Sequence, residues 1–169
     1  MTPTTRTALR LLLLLTLLDA CASTRSPMDA SSSQTPAQAL ARAEDLIRQT
    51  AGVLRPRPRL EPLAGQSTSS PCLEPHDDGA QDRIVVSRAY WLREVPGAAN
   101  MEIARQVMDH WQRQGHVITS TGGFQVGHPS VGGVSRPDGF ILALVWSEGD
   151  RLYLAATSPC VSPDGMPQP

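Results

Sequence analysis

From residue 36 onward the apolar positions change their period several times, and each change marks an element. Leu40, Ala43, Ile47, Thr50, Ala51 and Leu54 recur at helical spacing, while Arg42, Glu44, Asp45 and Arg48 fall largely on other faces. Thr35 is suited to cap that run, Pro36 fits the first helical position, and Gln38 stands three after Thr35, as a capping box requires. A helix is therefore predicted over 36–54. Its polar side mixes both charges instead of being uniformly basic, which favours packing on a sheet over lying in a membrane surface.

Residues 83–95, "RIVVSRAYWLREV", read as a strand with apolar side chains on both parities, ended by Pro96 and Gly97. A second helix is predicted over 98–114, with Ile103, Ala104, Val107, Met108 and Trp111 as its stripe and Gly115 as its stop. Three strands follow, over 116–126, 139–147 and 150–158, the last two joined as a hairpin through Ser147-Glu148-Gly149-Asp150. The glycine-rich stretch from Gly122 to Gly139 reads as a long loop between strands.

Two helices with one apolar stripe each, set among four strands, predict an α+β fold: a mainly antiparallel four-stranded sheet with both helices on one face. The domain would span 36–162, with a frayed tail at 163–169. Residues 55–82 read as a linker. Within it, "RPRPR" at Arg55–Arg59 favours an extended polyproline path, and a stiff connector is preferred over a cationic site for phosphate-bearing polymers or anionic headgroups.

Ahead of the domain, Arg6 and Arg10 precede the apolar run Leu11–Leu18, and Ala20 stands just before Cys21, the order of a secretory leader. The run is too short to span a bilayer, which takes about 20 apolar residues. Residues 1–20 resemble the leaders of bacterial lipoprotein precursors: Leu18, Ala20 and Cys21 match the lipobox, while Asp19 departs from its usual small residue. The resemblance implies that Cys21 carries diacylglycerol and palmitate-type acylation and that the protein sits on the extracytoplasmic face of the cell membrane; residues 21–35, polar and small from Ala22 to Thr35, read by composition as a disordered tether.

Three cysteines leave one over in an exported chain. If Cys21 carries lipid, Cys72 and Cys160 remain to pair, and the oxidising compartment permits it; two buried thiols are the alternative. The mature region further resembles the small actinobacterial envelope lipoproteins of unassigned activity, which share a lipid anchor, a polar tether, an amphipathic helix and a Cys-to-Cys α+β domain. That likeness rests on "LLDAC", the two later cysteines and the strand-helix-strand order, and it implies no catalytic residue.

Composition narrows the chemistry. All 15 basic residues are Arg, and the absence of Lys excludes Walker-type phosphate loops, Schiff-base enzymes and Ser-x-x-Lys acylases. A net charge of −1 gives no overall drive toward nucleic acid. No cofactor is expected. His76, Asp77 and Asp78, with Glu74 and Asp82 nearby, offer metal-type ligands, but their spacing matches neither an EF-hand nor a zinc motif. Ser130 in "GHPSVGG" echoes a hydrolase elbow, yet a strand follows where a helix is needed. No catalytic or metal residue is assigned. Trp91 and Trp146 are the expected ligand-facing residues, placed to stack on a sugar across an open sheet face. The expected function is a non-enzymatic envelope module that binds a protein or glycan; the alternative is a metal-assisted hydrolase using His76, Asp77 and Asp78.

Overall fold

The computed structural model describes residues 34–65, 68–72 and 83–163. The leader, Cys21 and nearly all of the tether lie outside them, as do His76, Asp77, Asp78 and the tail from residue 164.

The chain opens with α1, Pro36–Val53. The predicted capping box is present: Gln38 N–H donates to Thr35 Oγ1 at 3.2 Å, and Thr35 N–H donates to Gln38 Oε1 at 2.9 Å. Two short strands follow, β1 at Arg59–Pro62 and β2 at Ser69–Pro71, and then β3 at Ile84–Arg93. A 3-10 turn over Gly97–Ala99 leads into α2, Asn100–Arg113. The remaining strands are β4 at Val117–Gly122, β5 at Ser130–Val134, β6 at Ile141–Ser147 and β7 at Arg151–Thr157.

The fold is α+β, and every strand pairing is antiparallel. The sheet has seven strands, however, and not the four expected. Its order is β1-β3-β7-β6-β5-β4, with β2 pairing on the same side of β3 as β1. Three strands were hidden in segments read as connections. β1 and β2 lie within the 55–82 linker; each is short, and Pro62 and Pro71 are tolerated there because an edge strand leaves half its amides unpaired. β5 lies within the glycine-rich stretch. Its glycines answer to close packing: a Cβ on Gly133 would meet the Trp111 ring at 3.1 Å, and one on Gly132 would collide with Ser120 Oγ. β4 also stops at Gly122, four residues short of the predicted end, because Gly123 and Gly127 take left-handed φ of 70° and 76° around a 3-10 turn.

Both helices cover one face of the sheet. Glu44 of α1 accepts from Arg88 of β3, and the Trp111 ring of α2 lies against Gly133 of β5. The pairs Arg88–Ala156, Ala156–Leu142 and Leu142–Gly133 put those two contacts on the same side. Leu142, Leu144, Leu152, Leu154, Val107 and Ile103 are buried between the layers, each 2% exposed or less. Trp111 joins the helices: its Nε1–H donates to Thr50 Oγ1 at 3.0 Å, and the Thr50 hydroxyl donates to the Leu46 carbonyl at 2.9 Å. Every polar atom of that buried chain has a partner, so the indole is placed without a desolvation penalty.

Cys72 and Cys160 form a disulfide with Cα atoms 5.9 Å apart. It fastens the end of β2 to the segment after β7. The same corner is tied by Cys72 N–H to the Arg83 carbonyl at 2.9 Å and by the bridge between Ile84 and Val161. Among the described residues no helix is long and apolar enough to cross a membrane.

Candidate functional site

The side of the sheet away from the helices has no layer over it among the described residues, and strand register maps what it displays. Side chains alternate across a strand. Since Leu152, Leu154 and Ala156 point to the helices, Tyr153, Ala155 and Thr157 point away. Register then carries the pattern sideways. One row is Val117, Val134, Ile141, Thr157 and Ser87; the next is Gly132, Ala143, Ala155 and Ala89; the third contains Val145, Tyr153, Trp91 and Glu61. Ile141 is 59% exposed and Val117 42% exposed, values that no inner face would tolerate.

The third row holds the chemistry. Trp91 and Tyr153 meet edge to face, ring centroids 5.6 Å apart and planes at 83°. The Arg93 and Arg151 guanidinium carbons lie 5.3 and 4.9 Å from the Trp91 ring centroid, both at cation–π distance. Arg93 Nη2 and Nε both donate to Glu61 Oε1, at 2.7 and 3.1 Å. Arg59, across from Arg93 in β1, pairs with Glu94 at 2.9 Å and reaches Glu61 Oε2 at 3.5 Å. The hydrogen bonds from Arg93, outweighing burial, hold the Glu61 carboxyl below the usual carboxylate range. Arg151 differs: its Nε–H donates to the Glu148 carbonyl at 3.0 Å, and it has no carboxylate partner among the described residues. The result is an aromatic pair edged by guanidinium groups, one of them without a counter-ion.

Trp146 does not join this group. It pairs with Leu152, a helix-facing residue, so the two tryptophans singled out in the sequence lie on opposite faces of the sheet. His128 stacks on Trp146 with centroids 3.7 Å apart and planes at 15°, and Trp146 Nε1–H donates to Asp150 Oδ1 at 3.4 Å. A single sugar-stacking surface that uses both indoles is therefore ruled out. Sequence alone could not separate them, because β3 and β6 carry apolar residues on both parities. Arg93, Arg151 and Tyr153 were not singled out at all; the signal available was Arg-Ala-Tyr-Trp-Leu-Arg, in which Trp91 and Arg93 share a parity.

Other places are less suited to chemistry. Ser130 lies in β5 and pairs with Gly122, so it stands on a regular strand and not on an elbow. A cavity of about 370 Å³ is lined by Thr121–Val126, with no charged side chain among them. Another of about 300 Å³ opens where β1 and β2 part, lined in part by Glu44 and Arg88, but those two are bonded to each other at 3.0 Å. Near the β5–β6 turn, Ser135 Oγ donates to Asp138 and accepts from Phe140 N–H, while Arg42 donates to Asp138 at 2.6 Å. This network closes the turn and leaves Ser135, 0% exposed, unable to meet a substrate. Among the described residues no three His, Cys, Asp or Glu side chains are grouped to hold a metal.

No family model, no curated protein and no solved structure matches this chain.

Proposed function

We propose that this protein is a membrane-anchored extracytoplasmic lipoprotein, acylated at Cys21, whose folded part is a non-enzymatic binding module of the cell envelope. Its ligand, an envelope glycan or protein, docks on the helix-free face around Trp91. The observation that carries the binding reading is the placement of Trp91 and Tyr153, two large aromatic side chains in edge contact, on the side of the sheet opposite α1 and α2. Support for the address comes from Leu18, Ala20 and Cys21 in lipobox order, and from a disulfide that leaves Cys21 as the odd cysteine.

Two measurements test this. In a bacterial host, Cys21→Ser is expected to move the protein from the membrane fraction to the soluble exported fraction; retention in the membrane defeats the anchoring. With the full chain in non-ionic detergent, titration with cell-wall glycan fragments and envelope extracts is expected to change tryptophan emission, and Trp91→Phe is expected to abolish the change. A flat response across the whole panel, or a response that survives Trp91→Phe, defeats the binding surface.

A further inference from the structure

The guanidinium groups around Trp91 specify more than a place to bind. Each Arg carries five N–H donors in a planar fork. Arg93 commits two of them to Glu61, and Arg151 commits one to the Glu148 carbonyl. Seven of the ten therefore have no protein partner among the described residues. Both forks stand beside one indole, at 5.3 and 4.9 Å from its centroid, each two residues from the paired Trp91 and Tyr153 on neighbouring antiparallel strands. Each side chain has already lost part of its freedom through its existing contacts, which lowers the entropy cost of a further bond.

Glu61 shows which chemistry the corner accepts. Its carboxylate takes two N–H bonds from Arg93 and faces Arg59 as well, so an oxyanion on the Arg93 fork already belongs to the fold. The donors left over exceed what one more carboxylate, with two oxygens, can use. A phosphate brings more acceptor oxygen and more charge, and paired guanidinium forks match its geometry.

We propose that Arg93 and Arg151, set over Trp91, bind the phosphate group of a phosphate-bearing envelope ligand. The proposal rests on the reading of the helix-free face as the binding surface and names the ligand class for it. Glu61 competes with the ligand for Arg93, so the site carries its own brake: neutralising Glu61 frees two N–H donors and removes a repelling charge.

The test uses the exported Cys21→Ser chain, which carries no acyl group of its own to enter vesicles and needs no detergent, with binding followed by calorimetry and tryptophan emission. The probes are glycerol 3-phosphate, vesicles containing phosphatidylglycerol, and acetate as the carboxylate comparison. Glycerol 3-phosphate is expected to bind, with affinity falling as salt is raised. Arg93→Gln with Arg151→Gln is expected to weaken it at least tenfold, and Glu61→Gln to strengthen it severalfold; Arg48→Gln, exposed on α1, should leave it unchanged. The gain in Glu61→Gln is an effect that misfolding cannot imitate. Binding of the vesicles as well identifies headgroup phosphate as a source, whereas glycerol 3-phosphate alone restricts the ligand to free or polymeric phosphate; both outcomes support the site. Absence of phosphate binding, binding unaffected by the double variant, or equal affinity for acetate overturns it. If only uncharged glycans act through Trp91, the phosphate assignment fails while the binding surface stands.

Discussion

The two faces of this sheet are made by the same strands yet obey different rules. On the helix side, consecutive inward positions of β7 are Leu152, Leu154 and Ala156, each 1% exposed or less; on the other side the same strand shows Arg151, Tyr153, Ala155 and Thr157. On the covered face the buried Trp111 N–H is satisfied internally, through Thr50. The bare face instead leaves guanidinium donors of Arg93 and Arg151 without a protein partner among the described residues, and exposes Val117 and Ile141. The buried apolar packing of the described residues therefore lies on one side of the sheet, and the side we propose for binding is the other.

Variants on adjacent residues separate the two roles. Leu154→Ala, in the covered layer, is expected to cost about 2 to 5 kcal/mol, against less than about 1.5 kcal/mol for its neighbour Tyr153→Ala, both measured by urea unfolding. Equal costs would erase the distinction between the faces. Thr50→Val keeps the shape of the side chain but strands the buried Trp111 Nε1–H, with an expected loss of about 1 to 3 kcal/mol. Wild-type stability after that change would mean that the link between helices carries nothing.

A pH series sharpens the comparison further, because the shifted imidazoles belong to the covered side and the turn beside it. Burial pushes His110 below its ordinary value, with Arg113 and His116 adding to the effect; burial does the same to His116, with Asp138 opposing and Arg42 adding. For both, the folded state disfavours the charged form. Their contribution is therefore fully present above the unfolded value of about 6.5 and is lost as pH falls through the lower folded values. His116 Nδ1 also accepts from Arg136 N–H at 3.1 Å, a bond that protonation of that nitrogen removes. The melting temperature is expected to decline between pH 7 and pH 5, and a flat profile there would contradict it. The smallest effect belongs to the bare face: Arg151→Gln is expected to change unfolding free energy by no more than about 0.5 kcal/mol.

Much of this architecture was legible in the chain. Thr35, Pro36 and Gln38 announced α1, the Ile103 to Trp111 stripe announced α2, and the β6–β7 hairpin was marked by its turn, where Gly149 and Asp150 take φ of 78° and 54°. Pairing of Cys72 with Cys160 is the one expected when Cys21 is set aside for lipid. β5 escaped because glycine ordinarily argues against a strand, and only the approach of Trp111 and Ser120 explains Gly133 and Gly132. β1 and β2 escaped because Pro62 and Pro71 break the pattern that identifies longer strands. The site was half visible. Trp91 stood out as a residue type, but its face, its guanidinium neighbours and its separation from Trp146 depend on register between strands distant in sequence, which no local pattern encodes.

The Cys72–Cys160 bond changes what a protease can accomplish. Any cut between residues 73 and 82 divides the polypeptide into an amino-terminal piece with Cys21, α1, β1 and β2, and a carboxy-terminal piece with five strands and α2. The two pieces stay covalently joined, so a nicked molecule keeps Trp91 and Tyr153 attached to the piece that holds Cys21. Separating them takes reduction of the disulfide together with loss of the β1–β3 and β2–β3 pairing.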